Sequence, residues 1–189
     1  MSIPTRQRII DAAVEEFAAH GLAGARIERI AAGASINKAQ LYAHVGNKEA
    51  LFDAAFAQHV GRFTDAVPFD VEDLPGYATR LYDRYVADPA LMRLVAWARL
   101  ERTPTGDLFT GDEHDDDKLG DIRGAQERGL LDPAYEPADL WAILVAMAAT
   151  WAQAALLTVA AADDPAAAHR RRQDALARAV EQAFVRRPV

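Results

Sequence analysis

Side chains that can donate hydrogen bonds alternate with small ones between residues 37 and 44. Ala39 and Ala43 would leave a helix backbone open to close approach by another molecule. Phosphate oxygens and the edges of DNA bases are natural partners for such donors. Taken singly, an exposed lysine, glutamine or histidine is most often solvated surface, and Tyr42 would also fit a core with its hydroxyl outside. The spacing therefore carries the argument for the donors Lys38, Gln40, Tyr42 and His44.

A short helix must position these donors, and the sequence supplies its ends. Asn37 is a good N-cap, and Gln40 stands at the third helical position, from which its side chain can reach back. Gly46 is placed to end the helix. Leu41 and Val45 point inward at helical spacing, which leaves the polar side chains facing outward or on the flank.

The preceding residues predict the rest of a helix-turn-helix unit. A first helix runs from about Thr5 to His20 and ends at Gly21, and a second runs from Arg26 to Ala32. The Gly-Ala-Ser sequence at 33–35 then breaks the helical pattern. Such a unit places its second helix in the major groove, which is roughly 12 Å wide.

The run from Ile30 to Phe52 resembles the DNA-binding domain of the TetR family of transcriptional regulators, and the similarity extends back through residues 9–21. Ser35 departs from the pattern, because the family usually has glycine in this turn. Gln40, Ala43 and Val45 also replace commoner residues. The resemblance therefore implies the turn and the fold, but it leaves the operator sequence open.

The resemblance also assigns roles to individual residues. Tyr42, His44 and Lys48 would hold backbone phosphates, and Arg26 would approach the same backbone. Lys38 and Gln40 would reach base edges, with glutamine to adenine or lysine to guanine as reasonable pairings. Gln40 cannot serve the Asn37 cap and a base fully at once. The predicted DNA-binding set is Arg26, Asn37, Lys38, Gln40, Tyr42, His44 and Lys48.

Helix signals continue to the end of the chain, which predicts an all-α protein of about nine helices. An acidic residue followed by proline recurs at 88–89, 136–137 and 164–165, as expected at helix starts. We expect a long helix from Leu140 to Ala162, a helix from Leu119 to Arg128, and a flexible acidic loop over residues 103–117. The predicted domains are a DNA-binding domain, 1–48, and a helical effector-binding and dimerisation domain, 49–189.

The helix expected from Leu140 is apolar on two faces and so needs covering on both. A second copy of the chain would supply one cover, although a core within one chain is the alternative. The C-terminal part resembles the family's ligand-binding and dimerisation domain in architecture. A small, largely apolar effector would then bind among Tyr82, Trp97, Met147 and Trp151, unless these side chains only fill the core.

Charge and composition limit the classes of function that the chain could have. Residues 1–52 hold six basic and five acidic residues, a net charge of +1, whereas the remainder carries −8. The chain has no cysteine and no recognisable catalytic or phosphate-binding motif, so we expect no enzyme activity, cofactor or metal. Arg170, Arg171 and Arg172 are expected to be solvated. We expect a cytoplasmic, membrane-free homodimer on operator DNA, most simply a repressor; a constitutive regulator, an activator or a protein-binding adaptor are the alternatives.

Overall fold

The computed structural model describes residues 4–102, 113–152, 155 and 157–186. This part of the chain forms α-helices without a strand, and an isolated bridge joins Leu131 to Val185. The all-α prediction is confirmed. No helix among these residues combines the length and apolar character that crossing a membrane requires. The helices are α1 Thr5–Gly24, α2 Ile27–Gly33, α3 Lys38–Val45, α4 Lys48–Ala66, α5 Leu74–Ala87, α6 Pro89–Arg102, α7 Glu113–Glu127, α8 Pro137–Ala148 and α9 Ala166–Phe184.

The chain divides into two compact units, and the division is not sequential. The first unit comprises Met1–Ala66 and Asp88–Gly106, and the second comprises Val67–Ala87 and Asp107–Val189. Helix α6 therefore returns to the helix-turn-helix helices, while α5 belongs with the C-terminal helices. The predicted boundary after residue 48 falls inside the first unit, because α4 packs along α1.

The core of the first unit forms where α1 meets α4 and α6. Phe17 and Phe52 are almost fully buried and meet edge to face, with ring centroids 5.1 Å apart. Leu94 of α6 is fully buried as well. Arg102, at the end of α6, pairs with Asp53 and lies over the Phe52 ring. Helix α6 is thus tied to the helices on which the helix-turn-helix is built.

The core of the second unit forms between α5, α8 and α9. Tyr82, Leu144 and Phe184 are buried there, one from each helix. The Gln126 side chain, on α7, donates to the carbonyls of Asp132 and Tyr135 at 3.0 and 2.8 Å, which closes the connection to α8.

The expected long helix from Leu140 to Ala162 is wrong. Helix α8 ends at Ala148, and a single 3-10 turn, Ala149–Trp151, follows it. The Thr150 hydroxyl donates to the Met147 carbonyl at 2.7 Å, and such bonds compete with the helix's own ladder. The Trp151 carbonyl then accepts the backbone N–H of Ala160 at 2.8 Å. The helical periodicity of this alanine-rich segment does not report these hydrogen bonds, so it predicted a helix that is too long.

The expected loop over residues 103–117 is wrong at its C-terminal end, since α7 begins at Glu113. Acidic residues suit the first turn of a helix because its unpaired N–H groups carry partial positive charge. Residues 103–112 of that segment lie outside the described residues. The acid–proline starts are confirmed at Pro89 and Pro137, where the helices begin. At the third, α9 begins one residue after Pro165.

Candidate nucleic-acid interface

The turn between α2 and α3 is closed by backbone hydrogen bonds and one side chain. The N–H of Ser35 donates to the Ala32 carbonyl, and the N–H of Ile36 donates to the Ala31 carbonyl, both at 3.0 Å. Ser35 adopts φ +55°, in the left-handed region that favours glycine. The Arg8 guanidinium, from α1, donates to the carbonyl of Ala34 at 3.1 Å. The turn therefore keeps its geometry without the glycine usual at this position.

A capping box fixes the start of α3, as the sequence predicted. Asn37 Oδ1 accepts the backbone N–H of Gln40 at 2.8 Å, and Gln40 Oε1 accepts the backbone N–H of Asn37 at 3.1 Å. The reciprocal pair satisfies two N–H groups that a helix start otherwise leaves without an intrahelical partner. Because Gln40 contributes its carbonyl to this box, its side chain has a fixed direction in the free protein.

Helix α3 turns one apolar residue inward and leaves its polar side chains exposed. Leu41 is fully buried, while Tyr42 is 40% exposed and His44 is also exposed. Lys38 Nζ lies 2.6 Å from Glu28 Oε1 of α2 and 6.0 Å from the centre of the Tyr42 ring. The hydrogen bond from Lys38 lowers the pKa of Glu28 and raises that of Lys38. The ammonium group of Lys38 keeps further donors for another acceptor beside Glu28.

The start of α2 depends on Glu16, a residue that the sequence reasoning missed. Its carboxylate is 9% exposed and accepts the backbone N–H of Arg26 at 2.8 Å and two donors of the Arg29 guanidinium. Burial raises the pKa of Glu16, but the bonds to Arg29 and Arg26 outweigh it and hold that pKa below its ordinary value. The signal was present, since Glu16 lies three and seven residues after the buried Ala13 and Ile9, on the same helix face. Arg26 itself leaves its side chain exposed.

Lys48, in the first turn of α4, contacts the end of α1. Its Nζ donates to the Ala23 carbonyl at 3.2 Å, and an ammonium group retains further donors for another acceptor. Asn47 Oδ1 accepts the backbone N–H of Ala50 at 2.7 Å and so caps α4. Lys48 is thus held beside the N-terminus of α4, where unpaired backbone N–H groups favour anions.

The same end of α1 is held by α6. Gly21 interrupts the helix with φ +69°, and the Glu101 carboxylate accepts the backbone N–H groups of Leu22 and Ala23 at 2.6 and 3.2 Å. Trp97 Nε1 donates to the Ala18 carbonyl at 3.3 Å. A Cβ at Gly21 would lie 2.7 Å from the Trp97 ring, so only glycine fits this position.

Of the four residues proposed for an effector pocket, Tyr82, Met147 and Trp151 belong to the second unit, whereas Trp97 belongs to the first. The structure therefore does not gather all four within one unit. Tyr82 and Trp151 meet edge to face, with ring centroids 5.8 Å apart. Met147, on α8, is half-buried. Among the described residues, no cluster of histidine, aspartate and glutamate could hold a metal ion.

Tyr82 contacts a partly buried polar cluster, His169, Arg172 and Asp164, that the sequence reasoning missed. Its hydroxyl lies 2.8 Å from His169 Nδ1 and 3.5 Å from Arg172 Nη1. Arg172, expected to be solvated, is 8% exposed and pairs with Asp164 at 2.6 Å. That hydrogen bond lowers the pKa of Asp164. Three consecutive arginines gave no sign that the third one points inward.

Two segments of the chain match models of known protein families. The family model described as "Bacterial regulatory proteins, tetR family" matches residues 9–55, and the model described as "Tetracyclin repressor-like, C-terminal domain" matches residues 73–182. The second match alone covers more than half of the chain. The chain belongs to the TetR family. The resemblance that the recognition-helix residues carried is confirmed, and it extends to the C-terminal helices.

Individual relatives agree with this assignment. The HTH-type transcriptional repressor SCO4008 of Streptomyces coelicolor is 43% identical over 151 residues, which are 78% of each chain. The HTH-type transcriptional repressor NicS of Pseudomonas putida is 32% identical over about half of each chain. The crystal structure of SCO4942, described as a transcriptional regulator of Streptomyces coelicolor, superimposes with a TM-score of 0.79. It is 40% identical and covers 96% of this chain and 98% of that one. As a TetR-family member, the chain is a DNA-binding transcriptional regulator.

Proposed function

We propose that this regulator is a repressor that grips operator DNA through α3 and is released by a small-molecule effector bound in the second unit. The observation that supports it best is the fixed start of α3. The capping box and the buried Leu41 hold the helix, while Lys38, Tyr42 and His44 remain exposed. A donor-bearing face held in this way suits a major groove.

The residues divide into two groups by the acceptors they would meet. Tyr42, His44, Lys48 and the guanidinium of Arg26 would hold phosphates, which position the protein without reading sequence. Asn37 would keep α3 in register, and Lys38 and Gln40 would reach the bases. Lys38 would meet a DNA acceptor with the donors that its bond to Glu28 leaves over.

The effector would bind beside the aromatic pair of Tyr82 and Trp151, with Met147 on α8 as further apolar lining. An aromatic wall with a few polar anchors is typical of small-molecule sites, and His169 and Arg172 would supply the anchors. Such a ligand releases DNA only if it binds the released conformation more tightly than the DNA-bound one. A coupling of about 1–3 kcal/mol would suffice.

Selection from random duplexes at low salt tests the DNA-binding role. We expect enrichment of a pseudo-palindromic site, because a two-fold dimer would present α3 twice. In a titration on that site, Lys48→Ala should weaken binding to all sequences and reduce the salt slope by roughly one unit for each phosphate that the lysine no longer neutralises. Absence of any enriched sequence would contradict the proposal.

A further inference from the structure

In the free protein, the side-chain carbonyl of Gln40 already accepts a hydrogen bond, whereas its amino group does not take part in the capping box. Its Oε1 accepts the backbone N–H of Asn37 at 3.1 Å, and its own backbone N–H donates to Asn37 Oδ1 at 2.8 Å. The oxygen rather than the nitrogen must face Asn37, since an N–H group needs an acceptor. The Nε2 group takes no part in this box, and Gln40 is exposed.

We propose that Gln40 reads DNA with its Nε2 group alone and therefore prefers a base that sets no amino donor against that group, guanine or thymine, over adenine. Guanine offers O6 and N7 in the major groove, and thymine offers O4. Adenine offers one acceptor, N7, beside an amino group that opposes the second Nε2 hydrogen, and cytosine offers only an amino group. This inference rests on the proposed DNA-binding function, and it makes Gln40 a specificity-determining residue of that function.

The usual bidentate pairing of glutamine with adenine needs both ends of the amide. Oε1 would accept from the adenine N6 amino group while Nε2 donates to N7. Making that pair would withdraw Oε1 from Asn37 and leave its backbone N–H without a partner, under a duplex that excludes water. An unpaired donor in such a place is costly, so the cap and the adenine pair exclude one another. Donation by Nε2 to guanine or thymine keeps both.

A single substitution separates the two halves of the side chain. Gln40→Glu keeps an acceptor for Asn37, because glutamate serves as well as glutamine at the third position of a capping box. It removes the Nε2 donor and replaces it with a second acceptor, which suits the N4 amino group of cytosine. Gln40→Ala removes both the cap and the donor. Ala57→Glu adds the same charge on an exposed position of α4 and serves as a control.

Parallel selections from random duplexes with these four proteins test the inference. We expect the native protein to enrich guanine or thymine at one position of each half-site, and Gln40→Glu to change that position to cytosine with about a tenfold change in relative affinity. Gln40→Ala should lose the preference there, and Ala57→Glu should keep the native site. Thermal unfolding should show Gln40→Glu as stable as the native protein, since its cap remains.

Three results would overturn the inference. Adenine or cytosine at the position that responds to residue 40 would contradict the predicted preference for guanine or thymine. Identical selections for the native protein and for both Gln40 variants would show that Gln40 reads nothing. Failure of the native protein to enrich any sequence would overturn the proposed function, and the inference with it; the first two results leave that function standing.

Discussion

Ser35 holds a backbone conformation that costs a residue with a Cβ about 1–2 kcal/mol. Its φ of +55° lies in the turn between α2 and α3, and its side chain is exposed. Ser35→Gly should therefore raise the free energy of unfolding by about 1 kcal/mol, after allowance for glycine's greater freedom in the unfolded chain. Urea unfolding measures the change. Ser35→Ala is the matched control, because it keeps the strain, and an equal gain from it would refute this explanation.

Glu16 should make stability depend on acid pH. Its folded-state pKa is lowered by Arg29 and the Arg26 amide, so the unfolded chain binds the proton more readily. The stabilisation is present above the ordinary glutamate value of 4.5 and is lost as the pH falls through the folded value. Unfolding followed from pH 7 to 3 should show a steeper loss for the native protein than for Glu16→Gln. Parallel curves would contradict this role.

Contacts between residues close in sequence were predictable, whereas contacts between distant residues were not. The cap by Asn37 and the reach of Gln40 follow from positions three residues apart, and the structure confirms both. The N–H groups of Leu22 and Ala23 donate to the Glu101 carboxylate, which lies nearly eighty positions along the chain. No periodicity reports such a pairing. The bond from Trp97 to the Ala18 carbonyl is equally distant in sequence and was equally hidden, and the role of Trp97 in an effector pocket stays a prediction.

At the scale of elements, the end of α1 joins the recognition region to α6. Gly21→Ala should lower the free energy of unfolding by about 3 kcal/mol, because it adds a Cβ at positive φ and 2.7 Å from the Trp97 ring. Gly61→Ala, within α4, meets nothing within 4 Å and should stabilise the protein by about 0.5–1 kcal/mol. Thermal unfolding of the two variants compares them directly. Equal effects would remove the special role of Gly21.

Element boundaries were predictable where a chemical signal marks them. Glu136–Pro137 gives the start of α8, and Gly129, with φ +77°, follows the end of α7. No glycine or proline marks the end of α8. The turn after it is held by hydrogen bonds from the Thr150 hydroxyl to the Met147 carbonyl and from the Ala160 N–H to the Trp151 carbonyl, which the sequence does not signal. The acidic residues before Lys118 were compatible with both loop and helix, and the structure extends α7 over residues 113–117.

At the scale of the whole molecule, a two-fold dimer should form through the second unit. Ile143 is 42% exposed on α8 beside the exposed Ala142 and Ala146, an apolar face that a second copy would cover. Ile143→Lys should shift the protein to monomer in light scattering at micromolar concentration while its helical content stays unchanged. Leu100→Lys changes a more exposed apolar residue, 71% exposed on α6, and should leave the dimer intact. A native monomer would refute the dimer.

The architecture as a whole was predictable because residues 30–52 resemble the DNA-binding domain of the TetR family, and that resemblance implies a C-terminal helical domain. The assignment of helices to units was not, since α5 and α6 are adjacent in sequence yet belong to different units. Helix α6 joins the first unit through pairings between distant parts of the chain, such as Arg102 with Asp53. The length, charge and helical periodicity of α6 would be the same in either unit, so they cannot predict which unit it joins.

A hydroxyl-radical footprint of the native protein on its selected duplex tests the central claim, that two copies of α3 bind one operator. The account predicts two protected stretches related by a two-fold axis and centred one helical turn apart, about 10–10.5 base pairs, or a multiple of it. Lys48→Ala should weaken protection of both stretches alike. A single protected stretch, or protection that Lys48→Ala and Tyr42→Ala leave unchanged, would contradict the account.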